Sequence, residues 1–384
     1  MRLSWVILSG SLFCTSSAVA QQSETPRDTA PKSPVGKITN KGVWICDRAE
    51  ALDVPIKGPF ARRKDGRLLC VYQNTAHISS DEGRTWKKLA TVVEDESRFL
   101  LNVGRDIVRT QKGTIIVPFS NDRRQKWVWK PQLWDAPNAT GETGVVRSRN
   151  DGKTWLKPQI LHDKFTGDNS AIIQTKKGRV VMATMKWLHN PGRHGVLTYY
   201  SDDDGDSWRA SHVIDLGGRG HHSGTIEAAL EELKDGRLWL LIRTNWGKFW
   251  NAYSRDGGSS WRTIYPSTID ASSSPGFLRR LKSGRIVLVW NRYYKQNSFD
   301  VPLRGGDDDW SDTETSWQRE ELSMALSHDD GRRWTDPVVI ARKPGGDLSY
   351  PNVFESSAGR LWITAGAARL TINEADFVPP KKPK

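Results

Sequence analysis

An ammonium, a carboxamide, a carboxylate and a phenol occupy equivalent places along this chain of 384 residues. Lys57, Asn169, Glu227 and Tyr350 each stand nine residues before a glycine that opens a short apolar run. Gly104 and Pro275 hold the same place before two further runs. Arg105, Asp106 and Asp168 lie directly beside these positions. If the runs are copies of one element, the polar groups before them converge on one ligand. A concave surface with a few such convergent groups is the default binding-site expectation.

The elements that would position them follow from two repeats. The first is the run itself: Gly66-Arg-Leu-Leu-Cys-Val, Gly113-Thr-Ile-Ile-Val-Pro, Gly178-Arg-Val-Val-Met-Ala, Gly236-Arg-Leu-Trp-Leu-Leu, Gly284-Arg-Ile-Val-Leu-Val and Gly359-Arg-Leu-Trp-Ile-Thr. These runs are short, rich in β-branched residues and bounded by turn signals, so they predict buried strands. The second repeat is an octet, Ser-x-Asp/Asn-x-Gly-x-x-Trp. It begins at Ser79, Ser148, Ser201, Ser254 and Ser327 and ends at Trp86, Trp155, Trp208, Trp261 and Trp334. Its Asp or Asn can bond its own backbone two residues on, and its Gly accepts positive φ, so each copy predicts a tight hairpin. The first five runs are each followed by an octet and the sixth only by the end of the sequence. Six such units predict an all-β fold, a six-bladed β-propeller of four-stranded blades around a central channel. An N-terminal strand, Gly42-Val-Trp-Ile-Cys-Asp47, is expected to complete the last blade and remove a sheet edge. No amphipathic helix of useful length is apparent.

The octet resembles the Asp-box, or BNR repeat, and nearly the whole mature chain resembles the sialidase superfamily. Glu227-Ala-Ala-Leu-Glu-Glu-Leu-Lys-Asp-Gly is similar to the sialidase segment carrying a catalytic Glu, with Arg243 on the following strand. Tyr350-Pro-Asn-Val-Phe-Glu-Ser-Ser-Ala-Gly is similar to the segment carrying the nucleophilic Tyr. Arg319-Glu-Glu-Leu-Ser-Met-Ala-Leu-Ser resembles the segment carrying the last Arg of the carboxylate-binding triad. The resemblance implies an exo-acting glycoside hydrolase in which Glu227 activates Tyr350, and Arg243, Arg319 and Lys57 hold the substrate carboxylate; the landmark spacing adds Asn169 as a substrate-binding candidate. A neutral phenol suits an anomeric carbon that bears a carboxylate, because a carboxylate nucleophile would be repelled. A free phenol is a weak nucleophile and needs an adjacent base. The chain departs from the family in two places. The family's Arg-Ile-Pro is here Lys57-Gly-Pro59, which exchanges a bidentate guanidinium for a point charge. The first-blade stretch that carries the family's acid is here Tyr72-Gln-Asn-Thr-Ala-His-Ile78, without a carboxylate. Asp106 and Asp168 are the candidate proton donors, with His189, His221 and His222 behind them.

Residues 1–20 predict a secretory signal peptide, with a basic start, an apolar core and Ala18-Val-Ala20 at the cut. The expected product is secreted or periplasmic. Residues 21–41 predict a Pro-rich polar linker, 42–378 the propeller, and 379–384 a basic disordered tail. The formal charge is +13, and it falls by one when Arg2 leaves with the signal. An anionic glycan or glycoconjugate is the partner this balance favours; no nucleic-acid motif accompanies the charge. No second apolar stretch is long enough to span a membrane. No cofactor is implied, and no Cys/His cluster has metal-site spacing. Only Cys46 and Cys70 remain in the mature chain, too few for a disulfide framework. The insertion at residues 120–145, with Trp127, Trp129 and Trp134, is the expected lid or specificity loop. Two other readings stay open: a catalytically silent glycan-binding propeller and a scaffold for a protein partner. The sequence leaves the oligomeric state open.

Overall fold

Strands such as Leu238–Ile242 and Ile286–Trp290 are apolar at every position and buried throughout. A strand of this kind must be covered on both faces, and a ring of radially packed sheets does so. The computed structural model, which describes residues 35–167, 171–294 and 313–378, has six antiparallel sheets in that arrangement. Blade one contains Phe60–Arg62, Leu68–Tyr72, Thr75–Ser79 and Lys87–Thr91. Blade two is built on Ile115–Asn121 and Thr140–Ser148, and blade three on Val180–Leu188 and Arg193–Ser201. Blades four, five and six have innermost strands Ala228–Glu232, Phe277–Arg280 and Asn352–Ser357. Innermost strands of successive blades touch in turn from blade one to blade six. Phe60 of blade one meets Phe354 and Trp362 of blade six edge-on, at 5.6 and 5.8 Å between ring centroids, which closes the ring.

Closure differs from the sequence expectation. The strand that completes blade six is Ala49–Ala51, paired with Ala368–Asn373. Trp44–Cys46, from the expected closing segment, instead pairs with Val338–Arg342 on the outer edge of blade five. Gly36–Ile38, expected to be linker, pairs with Trp44–Cys46, so blade five has six strands. The reason is burial. Ile45 is fully buried in the apolar layer between blades five and six, beside Leu322, Ile340 and Leu370. The signal segment, residues 21–34 of the linker and the tail lie outside the described residues.

The octets are hairpins, and they also join blades. In the first, Ser79 Oγ accepts the Gly83 N–H at 2.8 Å, Asp81 accepts the Thr85 N–H at 2.9 Å, and the Trp86 indole donates to Gly83 O at 2.8 Å. The Gly of each octet packs against the preceding blade. A Cβ on Gly83 would meet Trp362 of blade six, on Gly152 Leu69 of blade one, on Gly205 Ile116 of blade two, and on Gly331 Trp239 of blade four. Trp261 varies the pattern, donating to Thr198 Oγ1 of blade three at 2.9 Å.

Candidate active site

The five described landmark positions, Lys57, Gly104, Glu227, Pro275 and Tyr350, all sit just before or within the innermost-strand segments, as the spacing requires. Four of them, Lys57, Gly104, Glu227 and Tyr350, line one cavity of about 500 Å3. Pro275 does not line it; Asn169 and Asp168 lie outside the described residues. Glu227 directly precedes its strand, which fixes its carboxylate deep in the channel, 3% exposed. Arg243 directly follows the neighbouring strand Leu238–Ile242 and is 1% exposed. Its backbone N–H bonds Glu227 O at 2.8 Å, so the two side chains leave the sheet together. Tyr350 has a φ of 55°, a left-handed conformation that a bulky residue adopts at a cost of roughly 1–3 kcal/mol. The turn aims its ring into the cavity, where it is 37% exposed.

The three side chains form one hydrogen-bonded unit. The Tyr350 hydroxyl donates to Glu227 Oε1 at 3.1 Å. Arg243 Nη1 lies 3.1 Å from the Tyr350 oxygen and also pairs with Glu227 Oε2. Burial alone would raise the Glu227 pKa. Arg243, followed by Arg105, outweighs burial and holds it below its ordinary value, so the carboxylate is ionised and can take a proton. The same pairing raises Arg243 against its own desolvation.

Further cations surround this unit. The Arg105 guanidinium lies 5.7 Å from the Tyr350 ring centroid and is 8% exposed. Its backbone carbonyl accepts from Asn352 at 2.6 Å. The sequence had placed Arg105 next to a landmark without assigning it a role; its position directly after Gly104 was the available signal. Arg319 stands one residue behind Arg243. Ser273 Oγ accepts from Arg243 at 3.2 Å, while Ser273 O accepts from Arg319 at 2.7 Å. No sequence signal pointed to Ser273, because it matters only as the spacer between two arginines. Lys57 is exposed at the rim, and its carbonyl accepts from Thr364.

The candidate proton donors are dispersed. Asp106 is buried and pairs with Arg279 at 2.7 Å on the innermost strand of blade five, away from the cavity wall. His189 bonds Asp135 at 3.0 Å, also off the wall. His221 and His222 do line the cavity, together with His194; ring nitrogens of His194 and His221 are 3.1 Å apart. Burial, then the nearby Arg243, pushes His221 down to about 4 and His222 down to about 2. Both are therefore neutral near pH 7 and suit hydrogen bonding to hydroxyls better than proton donation.

The insertion at residues 120–145 forms a packed wall. Trp127 meets Trp187 at 4.5 Å and His221 at 4.9 Å between ring centroids, and Asp135 accepts from the Trp187 indole at 2.9 Å. Among the described residues no His/Cys/Asp/Glu group could hold a metal ion. Cys46 and Cys70 are free and buried. No helix among the described residues is long and apolar enough to cross a membrane.

A phenol bonded to an ionised carboxylate, among cations in a concave pocket, can attack a carbon next to an anionic group. Comparison with known proteins agrees with the fold. The family profile of the BNR repeat-like domain matches residues 128–363. A sialidase of Micromonospora viridifaciens is 23% identical over an alignment 344 positions long that covers 78% of this chain and 48% of the relative. The chain thus spans about half the length of that relative. The fold is similar to that of the NanB sialidase of Streptococcus pneumoniae, with a TM-score of 0.57 and 12% identity over 90% of this chain and 71% of that one. It is also similar to a Dyadobacter fermentans protein of unknown function, with a TM-score of 0.56 and 15% identity over 86% of this chain and 98% of that one.

Proposed function

From a chain that belongs to the BNR repeat-like family, within the sialidase superfamily, we propose an exo-acting glycoside hydrolase. It cleaves a terminal acidic sugar, with sialic acid the first candidate. The observation that carries this reading is the 3.1 Å hydrogen bond from the Tyr350 hydroxyl to the Glu227 carboxylate, in contact with Arg243. Tyr350 attacks the anomeric carbon as its proton passes to Glu227. Arg105 and Arg243, with Arg319 behind them and Lys57 at the rim, favour a substrate carboxylate in the pocket. The neutral His221 and His222 supply hydrogen bonds to sugar hydroxyls. The N-terminal segment 1–20 supports export, and the net basic charge supports an anionic glycan as substrate.

The test is release of an aryl leaving group from a panel of sialosides and uronides. Wild type is compared with Tyr350→Phe and Glu227→Gln. Tyr350→Phe leaves the Arg243–Glu227 pair intact, so its effect reads the chemistry directly. Glu227→Gln leaves a buried guanidinium without its counter-charge, which costs about 3–5 kcal/mol, so it is read beside a thermal melt. Losses of at least 100-fold, on the order of a general base's contribution, are expected for both. Turnover that both variants retain would sink the mechanism. Saturable glycan binding without turnover would favour the silent propeller, a reading that the first-blade stretch without a carboxylate keeps in view.

A further inference from the structure

A second chamber of about 720 Å3 adjoins the Tyr350 cavity. The two share a wall that includes Lys57 and Asn102. Tyr72 and His77 of blade one, Asp122 of blade two and Arg369 of blade six line the second chamber. Asp122 is its only carboxylate, as Glu227 is the only carboxylate of the first, among the described residues.

Asp122 is fixed by its place in blade two. It follows the strand Ile115–Asn121 and opens the 3-10 turn Asp122–Arg124. Its N–H bonds Leu100 O at 2.9 Å. Asn121 beneath it is fully buried and bonds Glu142 at 2.8 Å. In the same sheet Ser120 pairs with Asn102, and Asn102 lines both chambers. Asp122 thus stands two residues along the chain from the partner of a residue that also lines the Tyr350 cavity.

We propose that the second chamber is the leaving-group subsite of this hydrolase and that Asp122 is its proton donor. The assignment rests on the hydrolase reading above. A leaving group in the second chamber puts the scissile oxygen at the shared wall, between Tyr350 and Asp122. In the first step the Tyr350 oxygen bonds the anomeric carbon and its proton passes to Glu227. The glycosidic C–O bond breaks, its electron pair stays on the leaving oxygen, and the Asp122 proton neutralises that oxygen. In the second step water attacks the anomeric carbon and gives its proton to the Asp122 carboxylate. The Tyr350 phenolate departs and recovers its proton from Glu227. Two carboxylates whose surroundings shift them in opposite directions suit the two roles. Desolvation of its carboxyl raises Asp122 above its ordinary value, although the residue as a whole is exposed, while cations hold Glu227 down. Blade two thereby supplies, across one chamber, the acid that the Tyr72–Ile78 stretch of blade one lacks. Tyr72, 61% exposed, offers a face for the leaving sugar.

The test uses two glycosides of whichever acidic sugar wild type turns over, one with a nitrophenol leaving group and one with a second sugar. Asp122→Asn should lose about 10²–10⁴-fold in kcat/KM on the sugar-linked substrate. Its loss on the nitrophenyl glycoside, which departs with little protonation, should be at least tenfold smaller. Asp122→Ala with added azide should regain rate and yield the glycosyl azide. Tyr72→Ala should raise KM for the sugar-linked substrate alone. Equal losses on both substrates, or no loss on either, would overturn Asp122 as donor and leave the hydrolase reading standing. A wild type that cleaves no glycoside overturns that reading and this assignment with it. Unchanged melting temperatures of the variants separate chemistry from misfolding.

Discussion

At the scale of single residues, the site depends on one carboxylate kept ionised where burial alone would protonate it. Glu227 stays below its ordinary value of 4.5 because Arg243 and Arg105 outweigh its desolvation. The proposed base must be ionised to act, so the acidic limb of the pH profile of kcat/KM should lie below pH 4.5. Arg105→Met removes one favourable charge and should move that limb upward by on the order of one pH unit; a limb that stays put would mean that Arg243 alone sets it. Much of this was legible in the sequence. The spacing to the glycines placed Glu227 and Tyr350 at equivalent strand starts because a buried strand holds its register over nine residues. The acid was not legible. Asp122 follows the middle strand of its blade rather than preceding the innermost one, so no landmark reaches it, and only the pairing of Ser120 with Asn102 carries it to the shared wall.

At the scale of elements, the octets lock each blade to the one before it. Their hairpin geometry could be read locally, because Ser, Asp and Gly satisfy one another within five residues. Their second role could not, because the partner blade is remote in sequence. Gly331 shows both demands: its φ is 80° and a Cβ there would stand 2.7 Å from the Trp239 ring. Gly331→Ala should therefore destabilise the fold by roughly 1–3 kcal/mol in denaturant melts, with kcat unchanged, since the joint lies outside the cavity wall. The closing strand escaped the sequence reading for a related reason. Gly42–Asp47 and Ala49–Ala51 are both short and partly apolar, and only the space between blades five and six decides which of them goes where.

At the scale of the whole molecule, the propeller buries histidines in neutral form. Burial, foremost, pushes His162 and His221 down to about 4, His222 to about 2, and His194 well below its usual value. In the unfolded chain these groups take up protons near pH 6.5, while the folded molecule refuses them. Stability should therefore be full above pH 6.5 and decline as pH falls toward 5, by about 1–2 kcal/mol per histidine. Thermal melts between pH 7.5 and 5 would record this, and His162→Gln should flatten part of the slope; a flat profile in wild type would contradict it. The double crossing near the N-terminus has a mechanical consequence. Tension applied at Val35 meets first the ladder of Gly36–Ile38 with Trp44–Cys46, then that of Trp44–Cys46 with blade five, and only afterwards Ala49–Ala51. Two short ladders must rupture before any pull reaches the seam of the ring, so the outer strands of blade five act as a sacrificial fuse for the channel.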